Sequence, residues 1–241
     1  MKKSFVLLSL VSLISFVNAK CDLNAQKLVN SYNIISGCKD NKIILKNGKS
    51  FLYDNGRKKS FNELLNNPDI EDMFFYKYPK KWVNALPKNY DPGRVRYEPL
   101  FRAIYGNSPT EVKRNLVYIN WIDNSKILVT KKEGVAQALI AVVKDLKKLP
   151  PTYYKFLAPI GGTFKWRKIA GTNRLSVHSF GAAIDINVKY SAYWRWNKGA
   201  YRYQNKIPKK IVDIFEKHGF IWGGKWYHYD TMHFEYRPEL L

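Results

Sequence analysis

Two short stretches of strict alternation, far apart in the chain, constrain this sequence most. From Ala183 to Val188, the residues Ile184, Ile186 and Val188 fall on one face of an extended chain, and Asp185 and Asn187 on the other. From Met232 to Tyr236, the residues Met232, Phe234 and Tyr236 oppose His233 and Glu235 in the same way. Each stretch reads as a strand with one apolar and one polar face. As neighbours in one sheet they bring Asp185 and His233 onto a common polar face. His178 precedes Gly181 on the loop leading into the first strand and can fold over that face.

The flanking segments are helical by spacing. Val135, Leu139, Val142, Val143 and Leu146 recur at helical intervals, predicting an amphipathic helix over 133–148 that is ended by Pro150-Pro151. A second helix has Pro208 in its first turn, Ile211, Ile214 and Phe215 on its buried face, and Gly219 as its stop. Nearer the N-terminus, Asn47-Gly48 between apolar runs predicts a hairpin, and Ser60 with Glu63 has the pattern of a capping box. From Tyr76 to Pro99 the chain is broken by Pro79, Pro87, Pro92 and Gly93 and reads as an aromatic-rich connector. The first half shows no chemistry of its own.

Lys2 and Lys3, an apolar run from Phe5 to Val17 and a small residue at Ala19 make 1–19 an export signal. The run is too short to span a bilayer comfortably, and Lys20 before Cys21 excludes a lipoprotein site. The expected mature chain is soluble, without a transmembrane anchor, in the periplasm or cell envelope or secreted. In an oxidising compartment Cys21 and Cys38 are expected to form one disulfide, stabilising by roughly 3 kcal/mol. Zinc ligation by cysteine is disfavoured because no C-x-x-C pair exists.

With 41 Lys+Arg against 19 Asp+Glu, the chain has a formal charge of +22. That charge suits an anionic partner. An export signal argues against nucleic acid, and an envelope polymer bearing carboxylates, or an anionic membrane surface, fits both facts. Scattered lysines that merely keep an exported protein soluble are the plainer alternative.

His178, Asp185 and His233 together offer two imidazoles and a carboxylate. That donor set holds a single zinc while leaving a fourth position for water, whose pKa falls to about 7 when bound. Asp230 stands beside the set to accept the water's proton and pass it to a leaving amine. Asp230 cannot share a strand face with His233 in extended chain, so a turn is expected at Tyr229 to Thr231. Taken singly, such a histidine or aspartate is more often structural than metal-binding, and it is the ordered set that points to a metal. His218, near a helix end, reads as structural, whereas His228 could reach the cleft and steady a substrate or intermediate. Trp222, Trp226 and Tyr227 are candidates for the cleft wall, with core packing as the alternative.

Ser176-Val-His178-Ser-Phe-Gly181-Ala-Ala-Ile-Asp185 resembles the S-x-H-x-x-G-x-A-x-D signature of peptidase family M15, and Asp230-Thr-Met-His233 resembles that family's second motif. The family comprises zinc D-alanyl-D-alanine carboxypeptidases and related cell-wall endopeptidases. The resemblance covers residues from about 115 to 241. It implies the compact α+β Hedgehog/DD-peptidase fold, a small antiparallel sheet flanked by helices, with zinc on His178, Asp185 and His233. It also implies an upstream arginine that holds substrate and stabilises the oxyanion. Phe164-Lys-Trp-Arg167 is similar to that segment, making Arg167 the candidate and Arg174 the second choice. Aspartate at 230, where the carboxypeptidase branch has glutamate, resembles the L-alanyl-D-glutamate endopeptidases. The implied substrate is the peptide stem of peptidoglycan, cut at that bond or at a terminal D-alanine.

The expected organisation is therefore a signal peptide (1–19), a small α+β N-terminal extension (20–115) and a zinc peptidase catalytic domain (116–241). A wall-binding protein without turnover and an exported metal-dependent nuclease are the competing classes.

Overall fold

A computed structural model describes residues 21–241, so the export signal read at 1–19 lies outside the described residues. Helix α1 (Leu23–Ser31) is capped by Asp22, whose side chain accepts the Ala25 N–H at 2.8 Å and the Tyr53 hydroxyl at 2.6 Å. The Cys21–Cys38 disulfide ties the start of this helix to strand β1 (Ile35–Lys39). Strands β1, β2 (Lys42–Leu45) and β3 (Ser50–Leu52) form an antiparallel sheet in that order. Asn47-Gly48 turns β2 into β3, with Gly48 at φ 82°, and Asp40-Asn41 turns β1 into β2 with φ positive at both residues. Helix α2 (Phe61–Asn66) starts on the Ser60/Glu63 capping box, in which both reciprocal hydrogen bonds are made.

No helix or strand lies between Phe75 and Tyr97. Helices α3 (Glu98–Tyr105) and α4 (Pro109–Lys113) follow, then a hairpin of β4 (Leu116–Asn120) and β5 (Lys126–Thr130). Helix α5 (Val135–Leu146) buries Val135, Leu139, Val142, Val143 and Leu146, the face that the spacing defines. The short α6 (Tyr154–Leu157) precedes β6 (Ala183–Asp185). Helix α7 (Lys209–Lys217) buries Ile211, Val212 and Phe215 and gives way to β7 (Phe220–Trp222) through Gly219 at φ 88°. The last strand is β8 (His233–Tyr236).

The site is built on the third sheet, in which β8 lies between β6 and β7 and pairs antiparallel with both. Asp185 stands directly opposite His233 in this register. Both strands are shorter than their alternation. Ile186 still donates to the Met232 carbonyl at 2.9 Å, but Asn187 leaves the ladder: its amide donates to the Lys155 and Ala158 carbonyls at 2.8 and 2.7 Å. The apolar face packs into a core that both halves of the chain share, from Ala25 and Tyr105 to Phe215 and Phe234. Phe215 stacks on Phe234 with ring centroids 3.9 Å apart. Small antiparallel sheets with helices against them make an α+β fold, consistent with a Hedgehog/DD-peptidase-like domain. Among the described residues, no helix is long and apolar enough to cross a membrane.

Candidate active site

The loop that carries His178 is set by its neighbours in sequence. Ser176 caps a single 3-10 turn over Val177–Phe180, and Gly181 ends it at φ 67°. A Cβ at Gly181 would lie 2.6 Å from Leu116 Cδ2 and 3.0 Å from the Thr130 nitrogen, so the position needs glycine on both conformational and steric grounds. The turn aims His178 across the end of β6, where Asp185 faces His233.

His178 Nε2 lies 3.1 Å from Asp185 Oδ1 and 3.2 Å from His233 Nδ1, and His233 Nδ1 lies 2.9 Å from Asp185 Oδ1. The outer ring nitrogens have acceptor-only partners. His178 Nδ1 meets the Thr163 carbonyl at 2.5 Å, and His233 Nε2 meets Glu235 Oε2 at 3.0 Å. Burial raises the Glu235 carboxyl, but Arg96, His233 and Arg237 outweigh this and hold it at about 2. Both outer nitrogens therefore carry the hydrogen, and in the neutral rings both inner nitrogens are bare. Two lone pairs and a carboxylate oxygen thus converge, all within 4.8 Å of one another, with no donor of their own. That arrangement fits a cation. Burial lowers the His233 pKa, yet hydrogen bonds to Asp185 and Glu235 more than offset this and raise it to about 10. Asp185 is held well below the usual carboxylate range by the two imidazoles, against the upward pull of burial.

A second acidic group, Asp54, Asp69 and Glu71, already holds a cation of the chain itself, since Lys59 Nζ sits 2.8 Å from Asp69 Oδ2.

Asp230 lies beside the converging atoms in a cleft of about 360 Å³. Its Oδ1 is buried without a hydrogen-bond partner, and burial, together with the nearby Asp185 carboxylate, pushes its pKa up to about 6. The turn that redirects it runs from Asp230 to His233, whose N–H donates to the Asp230 carbonyl at 3.2 Å, and not from Tyr229 to Thr231 as the spacing suggested. Gly223 abuts it: the Asp230 N–H donates to the Gly223 carbonyl at 3.0 Å, and a Cβ on Gly223 would fall 2.5 Å from the Asp230 carbonyl oxygen.

Arg167 lines the cleft, with an exposed side chain that makes no ion pair among the described residues. Its backbone pairs with the His178 loop, donating to Ser179 Oγ at 2.9 Å and accepting from Ser176 N–H at 3.0 Å. Arg174 is not a lining residue, and its Nη1 donates to the Arg94 carbonyl at 3.2 Å. His228 lines the cleft, whereas His218 pairs with Asp145 at 2.9 Å away from it. Of the three aromatic candidates, Trp226 is at the wall, Trp222 is buried in the core against Trp82, and Tyr227 stacks on Tyr201. Tyr193, Trp194 and Trp196, which the sequence did not single out, complete the wall.

The first half of the chain is not devoid of chemistry, contrary to expectation. Arg94 and Arg96 from the connector line the cleft, and Asp91 lies beneath it. Arg96 Nη1 stands 3.6 Å from Glu235 Oε2, so the connector also supports the residue behind His233. The Asp-Pro-Gly-Arg-Val-Arg run at 91–96, a turn crowded with charge, was the available signal.

Residues 170–236 match the family model described as D-alanyl-D-alanine carboxypeptidase. That segment contains His178, Asp185, Asp230 and His233, and the match supports the resemblance to peptidase family M15 that the two motifs carry. No curated protein matches the chain.

Proposed function

We propose that the protein is an exported, zinc-dependent peptidase that hydrolyses the stem peptides of peptidoglycan. The observation that carries this reading is the convergence of two imidazole nitrogens and the Asp185 carboxylate beside a buried, unpartnered Asp230 oxygen in one cleft. His178, Asp185 and His233 would hold one zinc. When bound, zinc supplies a Lewis acid that polarises a carbonyl and lowers the pKa of water to about 7.

The chain's own residues do the rest. Asp230 removes a proton from the attacking water, and a carboxylate with a raised pKa is suited to that exchange near neutral pH. Arg167 offers an exposed guanidinium to the developing oxyanion or to a substrate carboxylate, and Arg94 and Arg96 line the same cleft. Residues 116–241 act as the catalytic domain, and 20–115 as an extension that lends its connector to the cleft. The matched family's description favours a terminal D-alanine as the leaving residue. Aspartate at 230 favours the bond between L-alanine and D-glutamate. The basic surface suits an anionic wall polymer in either case, and the disulfide suits an oxidising compartment.

Digestion of purified muropeptides beside plasmid DNA, with and without chelator, tests the reading. Chelator-sensitive release of D-alanine or of a cleaved stem supports it. Cleavage of DNA alone, or binding of wall without product, contradicts it.

A further inference from the structure

His228 is held more firmly than a residue of the cleft wall requires. Asp91, wholly buried beneath it, grips it twice: Oδ1 accepts the His228 backbone N–H at 2.9 Å, and Oδ2 lies 2.6 Å from ring Nδ1. Arg94 Nη1 donates to the same Oδ2 at 2.9 Å. Burial raises the Asp91 carboxyl, but the His228 hydrogen bond and the Arg94 charge bring it below the usual carboxylate value. An ionised carboxylate only accepts, so Nδ1 carries a hydrogen. Phe61 stacks on the ring and Trp194 meets it in a T-shaped pair, with centroids 5.9 and 4.6 Å away, which fixes the ring plane. Nε2 is left as the ring nitrogen with no hydrogen bond among the described residues, in a ring that lines the same cleft as Asp230 and the converging ligand atoms.

We propose that Asp91 is a positioning residue for His228, locking the Nδ1–H form so that Nε2 is the nitrogen from which a proton passes to the departing amine. This rests on the peptidase reading above, and it divides between two residues the proton work that the sequence assigned to Asp230 alone. As the C–N bond breaks, its electron pair moves to nitrogen and the Nε2 proton crosses to that nitrogen. The ring returns to the neutral form with its remaining hydrogen still on Nδ1, donated to Asp91. Asp230 releases the water's proton to solvent, and solvent reprotonates Nε2 before the next turnover.

Asp91→Asn is the discriminating substitution. Its one oxygen can still accept the His228 backbone N–H, but its NH₂ then faces Nδ1, which must become an acceptor, and the hydrogen moves to Nε2. A wrong tautomer of this kind cripples a histidine in the serine-protease triad without moving it. Ring ¹⁵N spectra of the full chain, with His228 assigned by comparison with His228→Gln, should show a protonated Nδ1 in the wild type and a bare one in Asp91→Asn. Asp91→Asn should lower kcat by about 10²–10⁴ with little change in KM and with metal content unchanged. Added to His228→Gln, it should cause no further loss.

A bare Nδ1 in the wild type overturns the proposal, and that spectrum needs no variant beyond the one used for assignment. So does an Asp91→Asn loss of the same size in the His228→Gln background. Failure of the wild type to cleave muropeptides would sink the peptidase reading, and the proton step with it. A bare Nδ1 beside full cleavage would sink the Asp91 role alone.

Discussion

Glu235 lies two residues beyond His233 on the same face of β8, and its Oε2 accepts the His233 Nε2 hydrogen at 3.0 Å. The carboxylate is itself held by Arg237 at 3.1 Å and by Arg96 at 3.6 Å. A strand's two-residue period thus places the proposed ligand His233 and the carboxylate that orients it side by side, and carboxylates in this position raise the basicity of a ligating imidazole.

Glu235→Gln keeps the shape but removes the charge. Zinc affinity should fall by about 10–100-fold, the range for loss of an outer-shell partner. Competition against a chromophoric chelator measures it, and unchanged affinity would remove Glu235 from the account.

Each residue of the converging set was legible because its placement on a strand face or turn is set locally. Period-two alternation fixes which face Asp185 and His233 occupy, and Ser176 and Gly181 shape the turn that brings His178 to them. The connector's part was not legible, because it depends on packing between residues far apart in sequence. Gly93 comes so close to Ile221 that a Cβ would lie 2.3 Å from its Cδ1, and Arg237 Nη1 donates to the Gly93 carbonyl at 2.8 Å. No periodicity in residues 91–96 announces either contact. Trp222 and Trp226 show the same limit: equal in composition, one stacks on Trp82 in the core and the other lines the cleft.

Gly181→Ala should destabilise the fold by about 1–3 kcal/mol, since the new methyl group meets Leu116 and the Thr130 backbone at a left-handed position. Denaturant unfolding reads the loss. Metal retention should weaken with it, because the same turn carries His178.

Acid should act through Asp91. Its folded pKa is depressed, so the stability it contributes is present above its unfolded value of about 3.9 and is lost as pH falls through the folded value. Asp91→Asn should therefore flatten the acid limb of the stability curve below about pH 4. Unfolding midpoints of both proteins across that range check the sign.

Replacing Cys21 and Cys38 together by serine should lower stability by about 3 kcal/mol, the chain-entropy value for a loop of this size. Turnover should be unchanged in the folded protein, since the disulfide joins α1 to β1 and neither cysteine lines the cleft. Denaturant titration alongside an activity assay separates the two effects.

The central claim is that Asp230 serves as the base beside a zinc it does not hold. Zinc content and muropeptide cleavage, measured on the same preparations of wild type and Asp230→Asn, test it most directly. The account predicts close to one zinc per chain in both, with cleavage by the variant reduced by at least about 10². Near-wild-type cleavage at full zinc occupancy in Asp230→Asn would contradict it.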